Sequence, residues 1–93
     1  LDEETKFLNA SGTKVPYGVV LWPGAVALTY DIVTRGPAFR GRTVLELGAG
    51  TGLPGLAAAA LGAKVTQTDR SELIVHVCEQ NVARNRLAGV ECR

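Results

Sequence analysis

Glu46-Leu47-Gly48-Ala49-Gly50-Thr51-Gly52 is the stretch on which the fold of this chain turns. Thr43-Val44-Leu45-Glu46-Leu47 leads into the glycines and reads as a short, mostly apolar strand. Leu53 to Leu61 follows and reads as a helix. Pro54 lies near its start and Gly62 just past its end, the usual polarity of those two residues. Alternating glycines between a strand and a helix let the backbone turn sharply and come close to a ligand. The helix beyond presents unpaired N–H groups, where an anionic or polar group is favoured.

The pattern repeats downstream. Lys64-Val65-Thr66-Gln67-Thr68-Asp69 is a second strand, rich in β-branched residues. Ser71 is a candidate cap for a helix reaching about Arg86, closed by Leu87-Ala88-Gly89. Val90-Glu91-Cys92 begins a third strand. Upstream, Pro23 suits the first position of a helix. Val26, Ala27, Tyr30 and Ile32 or Val33 give that helix an apolar stripe, and Gly36-Pro37 ends it. Residues 1–21 read as an extended arm or hairpin around the turn signal Ala10-Ser11-Gly12-Thr13.

Strands alternating with helices imply right-handed crossovers and a parallel sheet. The expected class is α/β, with a Rossmann-like parallel sheet. A complete doubly wound sheet has about six strands, whereas residues 43–93 hold three. Residues 22–93 are therefore expected to be the N-terminal half of a larger domain, and the lack of an initiator Met agrees with a processed or excised chain.

Composition narrows the functional classes. The 93 residues are 46% hydrophobic, and ten Lys and Arg oppose nine Asp and Glu, a net charge of +1. That balance argues against disorder and against nucleic-acid binding by bulk charge. The longest uncharged apolar run, Gly48 to Ala63, carries five glycines and a proline, so it reads as loop plus helix rather than a membrane span. The acidic start Leu1-Asp2-Glu3-Glu4 is unlike a signal peptide. Two cysteines and one histidine fit no disulfide framework and no metal motif. No metal is expected, and a cytoplasmic setting, or a nuclear one, is.

Three ligands compete for the glycine loop. The dinucleotide fingerprint needs glycine at the first, third and sixth positions. Counted from Gly48 the sixth is Leu53; counted from Gly50 it is Gly55, but that register starts too late after the strand. A P-loop needs Lys and Ser or Thr after its last glycine, where Leu53-Pro54 stands. An acidic residue, an apolar residue, then Gly-x-Gly-x-Gly is the pattern of an S-adenosylmethionine site, and each element is present. Asp69 lies 21 residues after Gly48, at the end of the neighbouring strand, where a carboxylate can accept from both hydroxyls of a ribose. A glycine-rich turn with no ligand is the remaining reading.

Glu46 to Gly52 resembles motif I of class I, seven-strand S-adenosylmethionine-dependent methyltransferases. Leu21-Trp22-Pro23, Val44 to Gly55, Gly62 to Thr66 and Thr68-Asp69-Arg70 together resemble, more narrowly, the methyltransferase-like protein-lysine methyltransferases. Trp22 stands 26 residues before Gly48, and Asn81-Val82-Ala83-Arg84-Asn85 resembles the group's helix after the second strand. The resemblance implies S-adenosyl-L-methionine as cofactor and a protein substrate, methylated on a lysine nitrogen. Gly48, Ala49 and Gly50 would contact the methionine part, and Glu46 would orient the loop or reach the cofactor's amino group. Asp69 would hold the ribose, Arg70 would flank the adenine and Trp22 would line the pocket. The adenine-side residues after the third strand and the acidic-x-x-aromatic motif that receives the amine fall beyond Arg93, so no residue here is assigned as catalytic. The alternative is a non-catalytic partner-binding module on a truncated methyltransferase fold.

Each residue also has a plainer role to be weighed. Trp22 can anchor the first helix. Asp69, with Glu72 three residues on, can be a helix cap. His76 reads as a surface or packing residue, Cys78 as a small buried hydrophobe, Tyr17 and Tyr30 as core rather than pocket lining, and Arg40 and Arg42 as a solvated turn.

Overall fold

The computed structural model describes residues 21–93. The arm expected over residues 1–21 thus lies, apart from Leu21, outside the described residues.

Helix α1 spans Pro23–Arg35 with Trp22 as its N-cap. Pro23 has no N–H to satisfy at a position where none would be satisfied, and the Trp22 carbonyl accepts from the N–H groups of Ala25 and Val26. The buried side of α1 runs through Val26, Thr29 and Ile32; Val26 and Ile32 belong to the expected stripe, while Ala27 and Tyr30 do not turn inward. Tyr30 is 73% exposed and Val33 57%, so neither is core. Thr29 can face inward because its hydroxyl donates to the Ala25 carbonyl at 2.8 Å and needs no water. At Gly36 the chain tightens into a 3₁₀ turn over Gly36–Phe39, which brings Phe39 against the core.

Strands β1 (Thr43–Glu46), β2 (Lys64–Gln67) and β3 (Val90–Cys92) form a parallel sheet in the order β1-β2-β3. Thr43 pairs with Lys64, and Gln67 with Cys92. Helices α2 (Leu53–Ala60) and α3 (Glu72–Arg84) make the two crossovers. The expected topology is present, with elements ending one or two residues early. The Ser71 hydroxyl accepts from Ile74 N–H, so Ser71 caps α3 and Asp69 is left for other work. Arg86, at φ 53°, puts the chain in the left-handed region just past the α3 C-cap.

Successive strand residues point to opposite faces. Val44, Val65 and Val90 pack with Ile32 of α1 and Ala58 of α2, and Cys92 packs with Ile74 and Cys78 of α3. Val90 and Cys92 share a face, so all three helices cover one side of the sheet. The opposite side carries Thr43, Leu45, Lys64 and Glu91, all exposed. Leu45 is 62% exposed and Leu47, just beyond the strand, 75%. Parallel sheets are normally covered on both faces, and β1 has no partner on its outer edge among the described residues. The 93-residue chain on its own is therefore expected to self-associate. Analytical ultracentrifugation reads this directly, and Leu45→Thr should shift the distribution toward monomer. A cooperative, monomeric melt of the unmodified chain would contradict the expectation.

Candidate functional site

The site grows from the carboxyl ends of β1 and β2. Thr68 stitches them together: its N–H and its hydroxyl both donate to the Glu46 carbonyl at 2.9 Å. Ala49 N–H in turn donates to the Thr68 carbonyl at 2.9 Å. Between these ties the chain makes its turn with Gly48, Gly50 and Gly52 at φ 60°, 57° and 84°. Side chains rarely adopt those values, so the alternating glycines are a backbone requirement. Beside Gly48 there is open space where a Cβ would project, which leaves its backbone approachable.

A cleft of ≈ 970 Å³ opens over this loop, within the usual size range of small-molecule sites. It is lined by all seven residues named from the sequence: Trp22, Glu46, Gly48, Ala49, Gly50, Asp69 and Arg70. Ala49 is buried, Trp22 is 47% exposed, and Arg70 is exposed at the rim. The cleft continues along α1 and the open edge of β1, past Leu28, Ile32 and Leu45. Asp31 and Arg35 of α1 also reach its wall, joined as an exposed ion pair at 3.0 Å.

Asp69 follows β2 and ties the loop to α3. One carboxylate oxygen accepts from Gly50 N–H at 3.4 Å and the other from Ser71 N–H at 3.0 Å. A carboxylate offers about four lone-pair sites, so it keeps acceptor capacity toward the cleft. Glu46 is oriented differently. Its Oε1 accepts from Gln67 Nε2 at 2.8 Å, and it also accepts from the N–H of Gly55 in the first turn of α2. Glu46 is thereby tied to β2 and to the first turn of α2. Burial pushes its carboxyl above its ordinary 4.5, and the bonds from Gln67 and Gly55 oppose that push.

Sequence reasoning missed Gln67, a polar side chain only 1% exposed. Its carboxamide donates both to Glu46 and to the Gly52 carbonyl, each at 2.8 Å. The available signal was β2 itself, where Gln67 shares the buried face with Val65. Cys78 is buried as expected, but its Sγ also donates to the Gly50 carbonyl at 3.1 Å. Burial and neighbouring negative groups push its thiol up to about 11, so at neutral pH it is an S–H donor. Asn81 Nδ2 donates to the Thr51 carbonyl at 2.8 Å. His76 is exposed, as expected. Among the described residues no His, Cys, Asp and Glu gather in a metal-holding group.

Two stability effects follow from this packing. A Cβ on Gly55 would lie 2.5 Å from Gln67 Nε2 and 2.6 Å from Glu46 Oε1. Gly55→Ala should therefore lower the unfolding free energy by about 1–3 kcal/mol, read from urea midpoints. The folded chain also holds the Glu46 proton more tightly than the unfolded chain does. That contribution is favourable at low pH and falls away as pH rises from 4.5 through the folded value. Glu46→Gln should flatten this part of the stability-against-pH profile.

Comparison with known proteins agrees with this geometry. A family model described as lysine methyltransferase matches residues 2–91. A mouse protein named histone-arginine methyltransferase METTL23 is 42% identical over 79 residues, covering 83% of this chain. A bovine protein-lysine methyltransferase, METTL21E, is 42% identical over 71 residues, covering 74%. The chain spans 31% of the first relative's length and 24% of the second's. Among solved structures, a SAM-dependent methyltransferase from Agrobacterium tumefaciens superposes with a TM-score of 0.68 at 28% identity, covering 76% of this chain and 24% of that one. The parallel sheet, the glycine turn after its first strand and the match over nearly the whole length lead to one conclusion: this chain belongs to the lysine methyltransferase family.

Proposed function

We propose that residues 21–93 form the cofactor half of a protein methyltransferase, binding S-adenosyl-L-methionine over the glycine loop. The observation that carries this reading is the meeting of Asp69 and Gly50 at 3.4 Å on the wall of one cleft. The residues present suit the cofactor. Gly48 leaves open space for a close backbone approach, Asp69 has acceptor capacity for the two ribose hydroxyls, and Trp22 and Arg70 add flat and cationic surface to the cleft wall. Glu46 acts through the loop, since its carboxylate is engaged by Gln67 and Gly55.

When bound, the cofactor supplies a methyl group activated by its positive sulfur. The share of this chain is positioning, a contribution that can reach about 7–11 kcal/mol in well-oriented reactions. A protein nitrogen is the acceptor, and lysine is the preferred reading, supported by the family's description. An arginine acceptor is the second reading, supported by the name of the mouse relative. A lysine ammonium, ordinarily titrating near 10.4, must lose its proton before attack; no residue among those described is assigned to that step. The two free cysteines suit a reducing compartment, cytoplasm or nucleus.

Calorimetric titration with S-adenosylhomocysteine tests the reading, with NADH as control. Saturable binding that Asp69→Ala weakens at least tenfold, with none for NADH, is the expected result. Absence of binding by the folded full-length protein would reject it. Transfer of labelled methyl to lysine-only and arginine-only peptides then separates the two acceptors.

A further inference from the structure

Three consecutive loop carbonyls end on three side chains. Gly50 O accepts from Cys78 Sγ at 3.1 Å, Thr51 O from Asn81 Nδ2 at 2.8 Å, and Gly52 O from Gln67 Nε2 at 2.8 Å. The donors come from β2 and α3, between 15 and 30 residues further along the chain. We infer that Gln67, Cys78 and Asn81 are positioning residues which hold the glycine loop in its ligand-ready form and so set its affinity for the cofactor. This rests on the cofactor reading above and goes beyond it in naming what preorganises the loop.

Backbone bonds fix this loop only in part. Gly52 N–H donates to Ala49 O and Leu56 N–H to Gly52 O, each at 2.9 Å, whereas the peptide between Gly50 and Thr51 is held through its oxygen by Cys78. Glycine tolerates both signs of φ, so without the side-chain donors that plane can turn over and the next is held at one end only. Turning one over exchanges its carbonyl and N–H directions, because the two point opposite ways across a trans peptide. A loop free to do so presents several hydrogen-bonding faces and must be ordered when a ligand binds, which weakens affinity. Side-chain donors on all three oxygens select one arrangement beforehand. The N–H groups of Thr51 and Leu53 then point away from the donors that hold their peptide oxygens.

The cradle is built closely. A Cβ on Gly52 would lie 2.7 Å from Gln67 Nε2, so this loop glycine is also what makes room for the carboxamide. Both Gln67 amide hydrogens are used, one on Gly52 O and one on Glu46. None of Gln67, Cys78 and Asn81 lines the cleft. Any effect they have on ligand affinity therefore passes through the groups they hold: the loop and, for Gln67, Glu46 as well.

The test uses the full-length protein and S-adenosylhomocysteine. Asn81→Leu, at a half-exposed position of α3, keeps size and removes the donor. Cys78→Ala removes the second donor, and Cys78→Ser restores one. Melting temperatures without ligand are measured alongside. The expected result is a five- to tenfold weaker Kd for Asn81→Leu and Cys78→Ala, with Cys78→Ser recovering most of the loss whatever its melting temperature. Folded variants that bind as tightly as the parent would overturn the cradle while leaving the cofactor reading intact. A folded parent that does not bind would overturn the cofactor reading, and the cradle's role in affinity with it. If either donor-less variant fails to fold, the other decides, and Cys78→Ser binding no better than a folded Cys78→Ala counts against the cradle.

Discussion

The carboxamide of Gln67 is the contact on which the site depends. It joins the end of β1, through Glu46, to the carbonyl of Gly52 where the loop enters α2. A neutral donor suits this place. Glu46 is half-buried at the first turn of α2, where the helix N-terminus favours negative charge but burial disfavours it. Gln67 stabilises the carboxylate without bringing a second charge into the core. With an apolar residue there, Glu46 would keep only its bond from Gly55 and the Gly52 carbonyl only its bond from Leu56 N–H, and each lost bond is worth about 0.5–1.5 kcal/mol. Among the described residues, no buried side-chain polar atom is left without a partner.

That contact also explains what the sequence could and could not reveal. Order and polarity of the elements were legible because each boundary carries its own signal: Pro23 opening α1, Ser71 capping α3, Gly62 after α2. The glycine turn was legible because three left-handed backbone positions leave few other residues to choose. Asp69 was legible because strand ends in a parallel sheet open on the same edge. The buried side of α1 was legible only in part. Hydropathy placed Val26 and Ile32 inside but also Ala27 and Tyr30, which are exposed, whereas Thr29 goes in by satisfying its own hydroxyl on the helix backbone. Such a local bond changes the effective polarity of a residue, and no hydropathy pattern contains it.

The supports beneath the loop were hidden for another reason. Cys78 and Asn81 lie 28 and 30 residues from the carbonyls they hold. Each looks ordinary on its own helix. Only the α3 crossover puts them under the turn, so their roles belong to the topology and not to any local motif. Gln67 was closer to legible, since a long polar side chain on the buried side of a strand requires a partner. Which partner it has depends on how α2 leaves the loop.

Strand β1 links the site to the unfinished side of the fold. Its carboxyl end supplies Glu46 and the loop, while its open edge and Leu45 line the far part of the cleft. The same Leu45 stands on the bare face of the sheet at 62% exposure. Whatever covers that face and edge therefore also walls the cleft. Removing water there strengthens the hydrogen bonds that Asp69 and the loop can offer a ligand, because charge and dipole interactions grow as the local dielectric falls. The loop is held from the helix side by Gln67, Cys78 and Asn81, while the cleft stays open to water at Leu45 on the other side of β1. Loop shape and access of water to the cleft thus meet on opposite sides of one strand, and a segment laid over Leu45 would change the second without touching a contact of the first.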